Sequence, residues 1–227
     1  MPELGTAIIT GGASGLGAAV ANAVAERGGT PVVFDLNAPA NGLAFERVDL
    51  SRTGEAEEAV RRVGETRGLG ALVTAAGVDA CGKLEEVGRS EWERVVAVNL
   101  LGTAAVVRAA LPYLERSGGR IVTVASTLGL RALSDATAYC ASKFGVIGFS
   151  RALAAETAGR VGVTCLVPGG MQTAFFDGRD EQYKPPPDAK LAPPEEVAAT
   201  VLFALTRPDG VEMRELVVCP STESSWP

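Results

Sequence analysis

Short apolar runs alternate with longer stretches whose apolar residues recur every three or four positions, and the pattern holds along nearly the whole chain. The runs at 6–10, 31–34, 45–48, 71–73, 119–125, 161–167 and 215–219 are brief and mostly rich in β-branched side chains, which predicts buried strands. Helical stretches lie between them. One extends from the glycines at 15–17 to about Arg27, and one begins near Ser90 or Glu91 and carries Trp92. Another runs from near Ala136 to about Thr157, and the last starts near Pro194. Strands that alternate in this way with helices predict a parallel sheet covered on both faces, a doubly wound α/β fold of the Rossmann kind. With 227 residues, 47% of them hydrophobic, the chain has enough apolar material for one core, so 1–227 reads as a single domain. Ligands in such folds bind beyond the carboxyl ends of the strands.

The first strand runs directly into Gly11-Gly12-Ala13-Ser14-Gly15-Leu16-Gly17 and then into a helix. Strand, glycine turn and helix together form the setting in which glycines mean phosphate binding. Glycines let the backbone turn sharply and approach a diphosphate, and the amides at the helix start face its charge. A glycine turn without a ligand is the alternative. The second strand ends on Asp35, eighteen positions beyond Gly17, close to the ~20 at which an acid reaches the adenosine ribose hydroxyls. A carboxylate there accepts from a 2′-hydroxyl and repels a 2′-phosphate; a merely polar strand end is the other reading.

The fifth strand delivers Ser126, and Tyr139 follows thirteen positions later, with Lys143 four positions beyond it. Four residues on a helix put the phenol and the ammonium on one face, about a turn apart. A cation beside a phenol favours the phenolate and is expected to bring its pKa toward the working range. Ser126 can offer a hydroxyl to the same substrate oxygen. A solvated Tyr/Lys pair is the bland account of the spacing alone.

Taken together, Thr10-Gly11-x-x-x-Gly15-x-Gly17, Ser126 and Tyr139-x-x-x-Lys143 resemble the short-chain dehydrogenase/reductase family, in the family's order and over essentially the whole chain. The resemblance implies hydride transfer between a nicotinamide cofactor and an alcohol or carbonyl. It implies that Ser126 positions the substrate oxygen and that Tyr139 is the acid/base. Lys143 would lower the phenol's pKa and bind the nicotinamide ribose, and Asn99 would hold a water that refills Lys143. A structural asparagine at a helix distortion is the other reading of Asn99. For the cofactor, it implies contacts from Gly11, Ser14, Gly15, Leu16 and Gly17, and from Asp49 at the adenine amino group and Leu50 at the ring. Ala75, Ala76 and Gly77 would let the cofactor pass close. The Pro168-Gly169 turn and Thr173 would sit by the nicotinamide carboxamide. Ser14 and Leu36 occupy places where NADP-using relatives carry Arg or Lys, so NAD is the expected cofactor. Two departures stand out: Thr74-Ala75 replaces the family's Asn-Asn, and Pro220-Ser221 replaces the glycines after the last strand. The segment 174–190 reads as a substrate lid. Helix packing in the family implies a homodimer or homotetramer, and Trp226 could dock on a neighbouring subunit or lie disordered.

Bulk properties exclude other classes. The net charge of −6, without a lysine or arginine block, makes nucleic acid and anionic membranes poor partners. No apolar run approaches the ~20 residues that span a bilayer, and the first residues lack a secretory signal's pattern. Histidine is absent, which removes Ser-His-Asp and Cys-His catalysis and any histidine metal site; no metal site is expected. Cysteines at 81, 140, 165 and 219 without a C-x-x-C fit buried free thiols in a reducing cytoplasm. An alcohol dehydrogenase/ketone reductase leads. An NADPH-linked reductase of 3-oxoacyl carrier-protein thioesters and a non-catalytic NAD sensor are the alternatives.

Overall fold

Seven parallel strands form one sheet in the order β3-β2-β1-β4-β5-β6-β7 in the computed structural model, which describes residues 4–225. The strands are β1 (Thr6–Thr10), β2 (Thr30–Asp35), β3 (Ala44–Arg47), β4 (Ala71–Thr74), β5 (Arg120–Val124), β6 (Gly162–Pro168) and β7 (Glu215–Val218). Each expected strand is present within one or two residues. The helices are α1 (Gly15–Glu26), α2 (Thr53–Arg67), α3 (Arg89–Val96), α4 (Thr103–Ser117), α5 (Thr137–Glu156) and α6 (Pro194–Leu205).

Side-chain alternation explains why the central strands are apolar throughout. Along β1, Ala7 and Ile9 join one core and Ile8 the other; β2 divides Val33 from Val32 and Phe34, and β4 divides Ala71 and Val73 from Leu72. The first core is closed by α1 and α6 through Val20, Val24, Val197 and Val201, the second by α2 and α4 through Val60, Val63, Val106 and Leu114. A strand buried on both faces has no polar side to show. β1 bonds to β2 on one side and β4 on the other, so the chain reverses its direction of build there. The crevice at that switch point opens beyond the strand ends that carry the glycine turn.

Helices α3 and α4 are one continuous run from Arg89 to Ser117, joined by a π-helical turn at Ala97–Gly102. This run is long and apolar enough to cross a membrane by length and composition, which corrects the expectation that no such stretch exists. Its buried side chains, among them Val106, Ala110 and Leu114, instead pack on the sheet. The free cysteines divide: Cys140 and Cys165 are buried, whereas Cys81 and Cys219 are partly exposed. Trp226 lies outside the described residues.

Candidate active site

A cleft of about 920 Å³ runs across the carboxyl ends of the strands, from the glycine turn to the start of α5. Its first end depends on close approach of the backbone. Gly11 has φ +69°, and a Cβ there would stand 2.7 Å from the Ala76 Cα; a Cβ on Gly17 would stand 2.1 Å from the Gly11 carbonyl oxygen. Only glycine permits this close passage of β1, the turn and the chain after β4. Thr10 adds a hydroxyl that accepts from the Ala76 amide at 3.2 Å. Ser14, Gly15 and Leu16 line the cleft beside them, at the amide-bearing start of α1.

The Asp35 carboxylate is fixed at the cleft by two amides, Ala13 N–H at 3.1 Å and Asn37 N–H at 3.0 Å. Asp49 accepts from the Ser51 hydroxyl and amide at 2.7 and 2.9 Å, and the hydroxyl is the main reason its pKa lies below the ordinary value. Leu50 is buried beside it and packs on Gly102, where a Cβ would stand 2.8 Å from the Leu50 Cβ. A glycine-lined turn at a helix start, a carboxylate eighteen residues on and a long cleft between them fit a dinucleotide. Ala75, Ala76, Gly77, Pro168, Gly169 and Thr173 line the continuation, and Gly15 meets Thr173 across it, a Cβ on Gly15 falling 3.3 Å from the Thr173 Cβ.

At the far end stand Ser126, Tyr139 and Lys143, 8, 9 and 4% exposed. Ser126 leaves β5 in an extended conformation and accepts from the Leu128 amide at 3.1 Å, which anchors its side chain. One turn of α5 places the Lys143 Nζ 5.5 Å from the centre of the Tyr139 ring and 2.9 Å from the Val124 carbonyl, to which it donates. Burial lowers the Lys143 pKa to about 8. Burial also pushes the Tyr139 phenol above its ordinary value, and the Ser126 hydrogen bond opposes that rise. The direction is opposite to the one expected from the lysine alone, because removing the phenolate from water costs more than one neighbouring hydroxyl returns.

Asn99 does not line the cleft; it sits one layer behind, 1% exposed, in the π-helical turn. Its Oδ1 accepts from the Val78 amide at 2.9 Å, and its Nδ2 donates to the Val78 carbonyl at 2.9 Å and the Ser142 hydroxyl at 3.1 Å. A Cβ added at Gly77 would lie 3.6 Å from the Lys143 Nζ and 3.7 Å from the Asn99 Oδ1, so the two side chains flank one glycine. Asn99 thus braces the chain after β4 against α5.

A short-chain dehydrogenase family model matches residues 5–184. The chain belongs to the short-chain dehydrogenase family. It is 36% identical over 220 residues to D-threitol dehydrogenase of Mycolicibacterium smegmatis, covering 87% of this chain and 84% of that one. An uncharacterized oxidoreductase of Staphylococcus aureus is 33% identical over 227 residues, covering 94% and 96%. Among solved structures, ligand-free aldohexose dehydrogenase of Thermoplasma acidophilum superposes with a TM-score of 0.86 at 24% identity, covering 95% of this chain and 92% of that one. An alcohol dehydrogenase of Thermococcus sibiricus complexed with 5-hydroxy-NADP does so with 0.83 at 25% identity, covering 94% and 95%. The enzyme is therefore an oxidoreductase of the family that uses a nicotinamide cofactor and a small-molecule substrate.

Several residues of the cleft carried no signal in the sequence. Arg94, from α3, lines the cleft and lies close enough to Asp49 to act on its charge. Phe175 packs on Tyr139 with ring centres 5.6 Å apart, and Arg179 stacks on Phe175 and Phe176. The residues after β7 fold back onto the cleft. There the Glu223 carboxylate accepts from the Gly170 amide at 2.8 Å, and Ser225 and Thr127 share a hydrogen bond of 2.7 Å. These contacts join residues 53 and 98 positions apart, beyond the reach of any local motif.

Proposed function

We propose that this chain is an NAD(H)-dependent dehydrogenase that interconverts a secondary alcohol and its ketone, with polyhydroxylated alcohols as the substrate class. The observation that carries this reading is the meeting of Ser126, Tyr139 and Lys143 at one end of a cleft whose other end is the glycine turn and Asp35. The relative named for D-threitol supports the substrate class. A nicotinamide cofactor held by the cleft would supply the hydride chemistry. The chain's own residues handle the proton and the alignment. Ser126 holds the substrate oxygen, and Tyr139 takes its proton in oxidation or returns it in reduction. The Ser126 hydroxyl opposes the effect of burial on the phenol. Lys143 holds the ribose, and Asn99 orders the water path that reprotonates Lys143, a role its position beside Gly77 supports.

Asp35 supports NAD over NADP, because its carboxylate is locked in place by Ala13 and Asn37 and cannot swing away from a 2′-phosphate. Ser14 and Leu36 at the cleft add no cation. Titrating the protein with NADH and separately with NADPH, following reduced-nicotinamide fluorescence, tests this; binding of NADH at least tenfold tighter is expected. Equal or tighter NADPH binding would assign the cleft to NADP and bring the 3-oxoacyl-thioester reductase forward. The whole chain acts as one unit, with 174–190 as lid. A homodimer or homotetramer is supported by the exposed Leu101 and Phe144 beside α4 and on α5, and a reducing cytoplasm by the free thiols.

A further inference from the structure

We propose that the ion pair between Asp79 and Arg179 sets the charge class of the substrate, so that the site takes neutral polyhydroxylated molecules and turns away anionic hydroxy acids. The inference rests on the dehydrogenase reading above and names which molecules that site accepts. Asp79 stands in the segment after β4 and Arg179 in the lid segment, and Nη2 meets Oδ2 at 2.8 Å with the side chains 8 and 17% exposed. Asp79 is also held by its own neighbours, accepting from the Ala80 amide at 2.7 Å and the Cys81 thiol at 3.3 Å. Arg179 lines the cleft, and its guanidinium lies 4.8 and 4.7 Å from the ring centres of Phe175 and Phe176. Phe175 in turn packs on Tyr139. The pair therefore sits one ring away from the reacting phenol, and its two charges act on that phenol in opposite senses.

A cation at this depth would be a strong attractor for a carboxylate-bearing substrate, since charges interact several-fold more strongly in a partly dry cleft than in water. Asp79 removes that attraction by occupying the guanidinium. The Arg179 Nε is buried without a hydrogen-bond partner among the described residues, so the guanidinium meets the cleft as a group whose charge is already spent on Asp79. A hydroxyl suits that environment and a second carboxylate does not. The rings hold the guanidinium in place independently of the carboxylate, so loss of Asp79 would leave Arg179 as an uncompensated cation in the cleft.

The test compares butane-2,3-diol with 3-hydroxybutyrate, two four-carbon secondary alcohols that differ in charge. The readouts are kcat/KM with NAD and, separately, binding to the protein–NADH complex by fluorescence. Wild-type turnover of the diol tests the dehydrogenase reading by itself, and the binding ratio tests the charge inference whether or not turnover is seen. Wild type is expected to favour the diol. Asp79→Asn shifts the diol-to-hydroxy-acid ratio at least tenfold toward the acid, and Asp79→Asn combined with Arg179→Met cancels that shift. Should Asp79→Asn fail to fold, as a melting curve would reveal, Arg179→Met alone carries the test: its freed carboxylate moves the ratio further toward the diol. A wild type that favours the acid, an unchanged ratio in folded Asp79→Asn, or a shift that survives in the double variant would overturn the proposal.

Discussion

Three threonines lie side by side in the buried centre of the sheet, and only two of them find a hydrogen-bond partner among the described residues. Thr10, Thr74 and Thr123 are register partners on β1, β4 and β5, and all are at most 2% exposed. Thr10 accepts from the Ala76 amide, and Thr123 shares a 2.6 Å hydrogen bond with Ser150, whereas the Thr74 hydroxyl has no partner among the described residues. A buried hydroxyl left without a partner costs about 1–3 kcal/mol. Valine has nearly the same shape and the same β-branch, so Thr74→Val removes that cost without opening a cavity. A gain of about 1–2 kcal/mol is expected, which for a chain of this size raises Tm by roughly 2–8 °C. Thr10→Val does the opposite: it strands the Ala76 amide at the cleft and costs about 1–3 kcal/mol. Thermal melts and urea titrations of the two variants check the pair of signs. A Thr74→Val protein destabilised by more than about 0.5 kcal/mol would refute the reasoning, because it would mean that the hydroxyl has found a partner.

Other consequences follow from the same geometry. Gly17→Ala drives a Cβ to 2.1 Å from the Gly11 carbonyl oxygen, so the turn must rebuild; NADH affinity by fluorescence should fall at least tenfold. A Tm loss corresponding to about 2–4 kcal/mol should accompany it. Lys143, lowered to about 8 from 10.5 by burial, binds protons more readily unfolded than folded between those two values. Its charging penalty is therefore fully present below pH 8 and fades as pH rises toward 10.5, so stability from this group increases with pH across that window. Lys143→Met should accordingly be the more stable protein at pH 7 and inactive, with the difference in Tm closing toward pH 10; a gap that stays constant with pH would contradict the assignment.

The parts of this site that were legible in the sequence are those that a strand end carries by itself. Gly11, Gly15 and Gly17, Asp35, Ser126 and the Tyr139/Lys143 pair each occupy a fixed distance from a recognisable strand or helix, and all of these line one cleft. Thr74 was visible as a departure, and the structure adds its consequence, a hydroxyl without a partner. What stayed hidden depends on distant segments meeting. Asp79 and Arg179 are 100 positions apart, and Glu223 reaches Gly170 across 53, so no periodicity could join them. The π-helical turn was readable only as an asparagine interrupting an apolar stretch, since a single extra residue in a helix leaves no compositional mark. The direction of the Tyr139 shift was misjudged for a related reason: sequence spacing reveals the neighbouring charge but not the depth of burial.

The central claim is that Tyr139 moves the proton while the rest of the cleft only holds and aligns. Tyr139→Phe deletes one oxygen from a side chain 9% exposed and leaves the ring on Phe175 intact. The decisive measurement is NAD-dependent oxidation of a panel of neutral secondary alcohols and polyols by wild type and Tyr139→Phe, with NADH affinity determined for both. Turnover by the wild type, its loss in Tyr139→Phe and an NADH Kd within a few-fold of wild type are the predicted results. Turnover retained by Tyr139→Phe would remove this residue from the chemistry and contradict the account.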